Sequence, residues 1–140
     1  MSFEADGHTP HEVIEEEKQS YRQKALPEVG TDWPADVKAV AEELHGRLFE
    51  LDLRMMEVYR ECGCYNRNIS STFRWFLGRT PKEYVLHHRL EFAKQLLRET
   101  DFRVVRIALG VGYGNPGAFT KVFKKHVGTT PTQFRKTQEK

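Results

Sequence analysis

The 140-residue sequence predicts an all-α fold of about seven helices, in which a long linker helix joins two similar helical subdomains. Three observations support this prediction. From residue 31 onward, apolar residues recur at the i, i+3, i+4 spacing of amphipathic helices. No segment shows the alternation of apolar and polar residues that marks a half-buried strand. The chain also matches itself when it is shifted by 50 residues, so that "ISSTFRWFLGRTPKEY" (69–84) aligns with "FTKVFKKHVGTTPTQF" (119–134).

The first 30 residues are predicted to form a flexible N-terminal tail or linker. The segment "HEVIEEEKQSYRQKAL" is compatible with a helix, but its apolar residues are too sparse to drive packing. Pro27 and Gly30 separate it from the rest of the chain. Residues 31–140 are predicted to form one domain, with a first unit at about 35–80, the linker helix at about 81–99 and a second unit at about 100–138.

The first unit begins with a helix whose predicted N-cap is Asp32, with Pro34 in its first turn. Two shorter helices are expected after it, at about residues 54–62 and 66–77, and a glycine ends each of them. The apolar stripe of the first helix consists of Val37, Val40, Ala41, Leu44, Leu48 and Leu51.

Two Thr-Pro pairs mark the starts of later helices. In "TPKE", Thr80 is the predicted N-cap and Glu83 closes a capping box at the start of the linker helix. The segment "TPTQ" (130–133) repeats this pattern before the last helix. Between the two, helices are expected at about residues 104–111 and 116–127, the second ended by a glycine.

Each unit contains a short helix, a glycine turn and a longer helix, which is the order of a helix-turn-helix motif. Gly63 and Gly112 supply the two turns. The inward faces of the longer helices consist of Ile69, Phe73, Phe76 and Leu77 in the first copy and of Phe119, Val122, Phe123 and Val127 in the second. The outward faces consist of Arg67, Ser70, Ser71 and Arg74 and of Gly117, Thr120, Lys121 and Lys124. Each outward face taken alone is typical of an ordinary solvated helix. The two together, at equivalent positions of the repeat, favour a DNA major groove, because they combine little bulk, donors for base edges and cations for phosphates.

The net charge of +2 conceals a strong asymmetry along the chain. Residues 1–30 carry seven acidic and three basic residues, and residues 31–100 carry eleven of each. Residues 101–140 carry eight basic residues and two acidic ones. A positive field of this kind is typical of a segment that binds a polyanion.

The segment "RLEFAKQLLRETDFRVVRIALGVGYGNPGAFTKVFKKHVGTTPTQFR" (89–135) resembles the signature of AraC/XylS-type transcriptional regulators, and a weaker resemblance extends the match to about residues 35–138. The resemblance implies a double helix-turn-helix DNA-binding domain. Its two recognition helices would enter successive major-groove segments about 34 Å apart, often on bent DNA. The residues that carry the match are Arg89, Leu90, Ala93, Leu96, Leu97, Ile107, Ala108, Gly112, Tyr113, Phe119, Phe123, Lys124, Gly128, Pro131 and Arg135.

The resemblance also implies which residues contact DNA. The positions that read bases carry over to Asn66, Arg67, Ser70 and Ser71 in the first unit and to Pro116, Gly117, Thr120 and Lys121 in the second. Arg74, Lys124 and Lys125 suit phosphates, as do the backbone N–H groups at the helix N-termini.

The function implied is that of a sequence-specific, double-stranded DNA-binding transcriptional regulator with no enzymatic activity, cofactor or metal. The expected partner is double-stranded DNA, with RNA polymerase as a candidate second partner and no membrane. The chain is expected to be a monomer in the cytoplasm, associated with the nucleoid. Two alternatives are a helical protein-interaction module and the DNA-binding fragment of a larger ligand-sensing regulator, since many family members carry an N-terminal sensor domain that 30 residues cannot form.

Two departures from the family pattern affect these expectations. The residue four positions before the turn glycine is the small Ala108 in the second unit but Tyr59 in the first, which must pack differently. Pro116 and Gly117 offer no side-chain hydrogen bonds. The second unit is therefore expected to read sequence through Thr120 and Lys121, or through DNA shape.

Other functions fit the residues less well. "GYGNPG" (112–117) has the spacing of a dinucleotide-binding turn, but a helical pattern precedes it and no acidic residue follows about 20 positions on. A metal site would need Cys62, Cys64 and one of the adjacent histidines His87 and His88, and Cys-x-Cys lacks the usual spacer. Cys62 is instead expected to be a packed residue, Cys64 a turn residue, and the histidines surface or phosphate contacts. The sequence has no apolar run long enough to span a membrane and no secretory signal at its start.

Overall fold

The computed structural model describes residues 9–138, which form eight α-helices and no strand. The all-α prediction is confirmed, with one helix more than expected. The helices are α1 (Pro10–Ala25), α2 (Ala35–Arg47), α3 (Met55–Glu61), α4 (Ile69–Leu77), α5 (Pro81–Glu99), α6 (Val104–Gly110), α7 (Pro116–Val127) and α8 (Pro131–Gln138).

The linker helix α5 holds the two units together. In the first unit, α2 packs against α3 and α4, and both α2 and α4 contact α5. In the second unit, α6 and α8 contact α5 and α7 packs between them. The buried face of α5 is continuous from Tyr84 to Leu97. The two units therefore share one helix as part of both of their cores.

Both predicted capping boxes are present. The Thr80 side chain accepts a hydrogen bond from the Glu83 N–H at 3.2 Å, and the Glu83 carboxylate accepts one from the Thr80 N–H at 3.0 Å. Thr130 and Gln133 form the same pair of bonds at 3.2 and 3.3 Å. These boxes satisfy backbone donors that helix starts otherwise leave unpaired, and they fix where α5 and α8 begin.

Several boundaries of the first unit differ from the prediction. Asp32 is not an N-cap, because α2 starts at Ala35 with Pro34 at the cap position and no side-chain capping bond. Leu51 lies beyond α2 and is 47% exposed, so it is not part of the apolar stripe. Phe76 was expected to face inward but is 36% exposed, and the Trp33 ring partly covers it at a centroid distance of 6.2 Å.

The expectation of a flexible tail over residues 1–30 is corrected for residues 9–30. Most of this segment is the helix α1, whose side chains Val13, Ile14 and Tyr21 are buried in the main core. The expectation that residues 9–30 are too poor in apolar residues to pack was wrong. Three large side chains are enough to dock a helix when hydrogen bonds support them. Residues 1–8, which belong to the same prediction, lie outside the described residues.

Candidate nucleic-acid interface

The second helices of the two helix-turn-helix motifs, α4 and α7, are the predicted recognition helices. In α7, Phe119 and Phe123 are fully buried and fix which side of the helix faces the core. The predicted contact residues lie outside this core. Exposed among them are Gly117, Lys121, Lys124 and Lys125, and half-buried are Pro116 and Thr120.

The start of α7 is held by Asn115. Its side-chain oxygen accepts hydrogen bonds from the N–H groups of Gly117 at 2.8 Å and Ala118 at 3.1 Å. Pro116 occupies the first helical position, where a missing N–H costs nothing. Since Asn115 uses these two donors, the expected phosphate binding by free backbone N–H groups is weakened at this helix start.

The first recognition helix is shorter than predicted at its start. Because α4 begins at Ile69, Asn66 and Arg67 lie in the turn before it rather than in its first turn. The Asn66 side chain donates to the Asp36 carboxylate at 3.0 Å and accepts from the Asn68 N–H at 2.9 Å. Asn66 is thus tied to the start of α2, which leaves it less free to read a base than Arg67.

The remaining predicted contacts of the first unit are solvent-exposed. Ser70, Ser71 and Arg74 lie on α4 and Arg67 lies just before it, and all four are exposed. Each described ion pair involves cations outside α4 and α7, namely Lys18, Arg47 and Lys94. The cations of both recognition helices therefore form no ion pair among residues 9–138.

The two glycine turns have the same backbone hydrogen-bond pattern. The N–H of Gly63 donates to the Arg60 carbonyl at 3.1 Å, and that of Gly112 donates to the Leu109 carbonyl at 3.1 Å. Both glycines have positive φ, at 67° and 107°. Tyr59 occupies the position in the first unit that Ala108 occupies in the second. It is half-buried, and the hydrogen-bond pattern of the turn is the same in both units.

Arg89 links the two units at the middle of α5. The side chain is only 8% exposed. Its guanidinium donates to the carbonyls of Leu48 at 2.8 Å and Glu50 at 2.7 Å in the first unit, and to that of Gly112 at 3.3 Å in the second. Burial lowers the pKa of Arg89 from its ordinary value, but an arginine stays charged in a protein, so these carbonyls hold a buried cation.

Gly112 is required at this junction for two reasons. Its φ of 107° is a conformation that L side chains rarely adopt. A Cβ at this position would also lie 2.6 Å from the central carbon of the Arg89 guanidinium. The turn of the second unit can therefore approach the linker helix only without a side chain.

A second buried polar cluster joins α1, α2 and α5. Tyr21 Oη and His88 Nδ1 are 2.7 Å apart, and so are His45 Nε2 and Tyr84 Oη. His88 is 7% exposed, so the expectation that it is a surface or phosphate contact is wrong, while His87 is half-buried. Burial is the main cause that lowers the pKa of His88 to about 4, and it also lowers the pKa of His45.

The two cysteines have different environments. Cys62 is half-buried and its thiol donates to the Ala39 carbonyl at 3.4 Å, whereas Cys64 is buried in the turn of the first unit. Both are free thiols. Within residues 9–138, no three His, Cys, Asp or Glu side chains are grouped so that they could hold a metal ion.

Sequence reasoning assigned no role to Arg89, which links the two units, or to α1, which docks on the core against α5 and α6. The sequence contains one indication that Arg89 is buried, because this basic residue lies within the apolar pattern of α5, close to Leu90 and Phe92. A buried position for a charged residue requires hydrogen-bonding partners. The carbonyls that provide them lie 23 to 41 positions away in sequence, and no local pattern identifies them.

Two solved structures share this fold. A transcriptional regulator from Chromobacterium violaceum, described as of the AraC type, has a TM-score of 0.58 and 25% identity, and the match covers 73% of this chain and 93% of that one. The DNA-binding domain of AdpA, solved in complex with a target DNA, has a TM-score of 0.63 and 22% identity, with 71% and 91% coverage.

A family model described as a helix-turn-helix domain matches residues 58–137, which is more than half of the chain. The chain belongs to the AraC-type family of helix-turn-helix transcription regulators. The resemblance found in residues 89–135 is thereby confirmed, and so is the function it implies for this domain, DNA binding in transcription regulation.

Curated relatives of this AraC-type chain carry the names of regulatory proteins or transcription factors. The MmsAB operon regulatory protein of Pseudomonas aeruginosa is 33% identical over 94 residues, which cover 67% of this chain and 29% of that protein. The probable transcription factor PqrA of Proteus vulgaris is 35% identical over 83 residues, which cover 59% of this chain and 68% of that protein. The chain thus matches less than a third of the first relative and about two thirds of the second.

No helix within residues 9–138 of this AraC-type chain is both long and apolar enough to cross a bilayer.

Proposed function

We propose that the chain regulates transcription by inserting α4 and α7 into successive major-groove segments of a specific double-stranded DNA site, about 34 Å apart. The observation that carries this proposal is the pair of exposed, cationic recognition helices on one linker helix, joined by Arg89. Its bonds to carbonyls of both units limit how far one recognition helix moves relative to the other.

The family resemblance assigns the roles of the contact residues, and the exposure of most of them on or next to α4 and α7 supports the assignment. In this proposal, base edges are read by Asn66, Arg67, Ser70 and Ser71 in the first unit and by Pro116, Gly117, Thr120 and Lys121 in the second. Arg74, Lys124 and Lys125 neutralise phosphates. Because Asn66 is held by Asp36, Arg67 and the two serines carry most of the reading in the first unit.

The same proposal covers the wider setting of the domain. Residues 31–140 form the DNA-binding domain, and this chain binds as a monomer in the cytoplasm, at the nucleoid, without catalysing a reaction. Double-stranded DNA is the expected partner, and RNA polymerase is a candidate second partner. The support is the family, relatives that are named as regulators, and recognition-helix cations that form no ion pair within residues 9–138.

Selection of bound duplexes from a random pool tests the proposal directly. We expect one enriched site with two sequence elements about one helical turn apart. Arg67→Ala and Lys121→Ala are each expected to weaken binding to that site by about 1–3 kcal/mol and to relax preference at one element only.

Lys124→Ala separates phosphate contacts from base contacts. It is expected to weaken binding to all duplexes alike and to reduce the slope of log K against log salt by about 1. Lys24→Ala, at an exposed lysine of α1, is the matched control and should change neither quantity. Equal losses for Arg67→Ala, Lys121→Ala and Lys124→Ala on selected and random DNA would contradict the assignment of base contacts.

A further inference from the structure

Trp75 is the most exposed aromatic side chain of the recognition helices. It lies on α4 and is 83% exposed, whereas its neighbour Phe76 is 36% exposed and contacts the Trp33 ring. Among residues 9–138 no ring contact or hydrogen bond involves the Trp75 indole. Single exposed apolar side chains are common on protein surfaces, so the position of Trp75 and the charge around it decide which molecule it contacts.

The position of Trp75 places it beside the proposed DNA contacts. Trp75 follows Ser71 by four residues, so both side chains lie on the same side of α4. It is also adjacent to Arg74, which is exposed. The 50-residue repeat pairs Trp75 with Lys125 of the second unit, which is exposed on α7 and proposed to contact a phosphate.

The charge around Trp75 indicates what kind of molecule this surface attracts. Residues 66–82 contain no acidic residue and four basic ones, Arg67, Arg74, Arg79 and Lys82, all exposed. This surface complements a polyanion. An indole adds apolar area and one N–H donor, which suits the sugars and base edges of a DNA strand.

We propose that Trp75 is a further DNA-contacting residue of the first unit, whose indole packs on the C–H surface of the strand that borders its major-groove segment. This inference rests on the proposed function. The repeat then binds DNA asymmetrically: at equivalent positions, the first unit makes an apolar contact and the second an ionic one. The apolar surface is either a deoxyribose or a thymine methyl group, the major-groove feature that apolar side chains recognise.

Tryptophan fluorescence of the full chain reports on this contact. The sequence has two tryptophans, so Trp33→Phe leaves Trp75 as the single emitter. Adding the selected duplex is expected to shift its emission to the blue and to protect it from acrylamide quenching. Trp75 emission that stays fully quenchable in the saturated complex would overturn the proposal.

Substitutions at position 75 distinguish an apolar contact from an ionic one. Trp75→Ala is expected to weaken binding to the selected duplex about tenfold, with an unchanged salt slope because no counterion is released. Trp75→Lys, which copies Lys125, is expected to recover binding at low salt and to steepen the salt slope by about 0.9. Leu109→Ala removes an exposed apolar side chain from α6 and should leave both affinity and slope unchanged.

Deoxyuridine in place of thymine, one position at a time, separates the two apolar surfaces. A loss at one position that disappears in Trp75→Ala assigns the contact to a thymine methyl group, and equal binding at all positions assigns it to the sugars. Wild-type affinity of Trp75→Ala, with a change only in self-association by sedimentation, would overturn the proposal in favour of a second copy. If Arg67→Ala and Lys121→Ala also bind normally, the proposed function itself fails; if they lose binding and Trp75→Ala does not, only this inference fails.

Discussion

The two units have one backbone plan but different interiors. Phe73 of the first unit meets Tyr84 at a ring-centroid distance of 5.5 Å and an interplanar angle of 81°. The equivalent pair of the second unit, Phe123 and Phe134, meets at 5.7 Å and 77°. In the first pair, Tyr84 also shares a hydrogen bond with His45, which Phe134 cannot make. The two ring pairs thus pack with the same geometry, but only the pair in the first unit has an additional hydrogen bond.

The recognition helices differ in a related way. α7 has 12 residues and a side-chain cap, whereas α4 has 9 residues and no side-chain cap. The first unit instead uses Asn66 to join the turn to α2. The turns and cores that the two copies share therefore specify the fold. The polar residues that differ between the copies determine how the stability of the chain depends on pH and on substitution.

The largest effects are expected from removing equivalent core rings. Phe73→Ala and Phe123→Ala should each lower the free energy of unfolding by about 3–5 kcal/mol, since both rings are fully buried. Phe123→Ala should cost more, because Phe123 contacts both Phe119 and Phe134. Urea unfolding followed by circular dichroism measures both, and Phe76→Ala on α4 is the partly exposed control, expected to cost less than either.

The shape of the transition adds a second result. Since α5 belongs to both cores and Arg89 bonds to both units, each variant is expected to unfold in one transition. Two resolved transitions in Phe123→Ala, with the first unit still folded, would show that the units are independent and that Arg89 does not couple them.

The next effect concerns acid, and it arises from the buried histidine cluster of α1, α2 and α5. Burial lowers the pKa of His88 from 6.5 to about 4 in the folded chain. His88 is therefore neutral in both states above pH 6.5, and between 6.5 and 4 only the unfolded chain gains the proton. Stability should fall over this window by about 3 kcal/mol, and His45, whose pKa is also lowered, should add to the loss.

The His88→Gln variant tests this expectation. Glutamine retains a neutral hydrogen-bonding group for Tyr21 and does not titrate, so the decrease in stability between pH 6.5 and 4 should become smaller. His126→Gln, at an exposed histidine of α7, is the control. An unchanged pH dependence in His88→Gln would mean that His88 takes up its proton in the folded state and that the Tyr21 contact opens.

The elements that sequence reasoning located well have local signals. The Thr-Pro capping boxes, the glycine turns and the spacing of Phe119 and Phe123 all act within a few residues, and the structure has them where the sequence placed them. The family resemblance then supplied the candidate contacts, and most of these are exposed on or next to α4 and α7.

The features that sequence reasoning missed depend on distant partners. Docking of α1 relies on contacts such as Tyr21 with His88, 67 positions away, and its apolar content alone gave the wrong expectation. The helix α4 starts three residues later than predicted, and Asn66, in the turn before it, bonds to Asp36, 30 positions earlier. Neither partner is identifiable without the fold.

The smallest effect contrasts the two asparagines at the recognition-helix caps. Asn115→Ala removes the acceptor of two N–H groups at the start of α7 and should cost about 1 kcal/mol of unfolding free energy. Asn68→Ala at the start of α4 should cost only a few tenths, because the Asn68 side chain makes no capping bond. Urea midpoints at constant slope measure the difference, and amide hydrogen exchange should show faster opening at Gly117 and Ala118 in Asn115→Ala alone. Equal losses for the two variants would mean that α4 is capped in solution as α7 is, and that the asymmetry of the two helix starts does not persist.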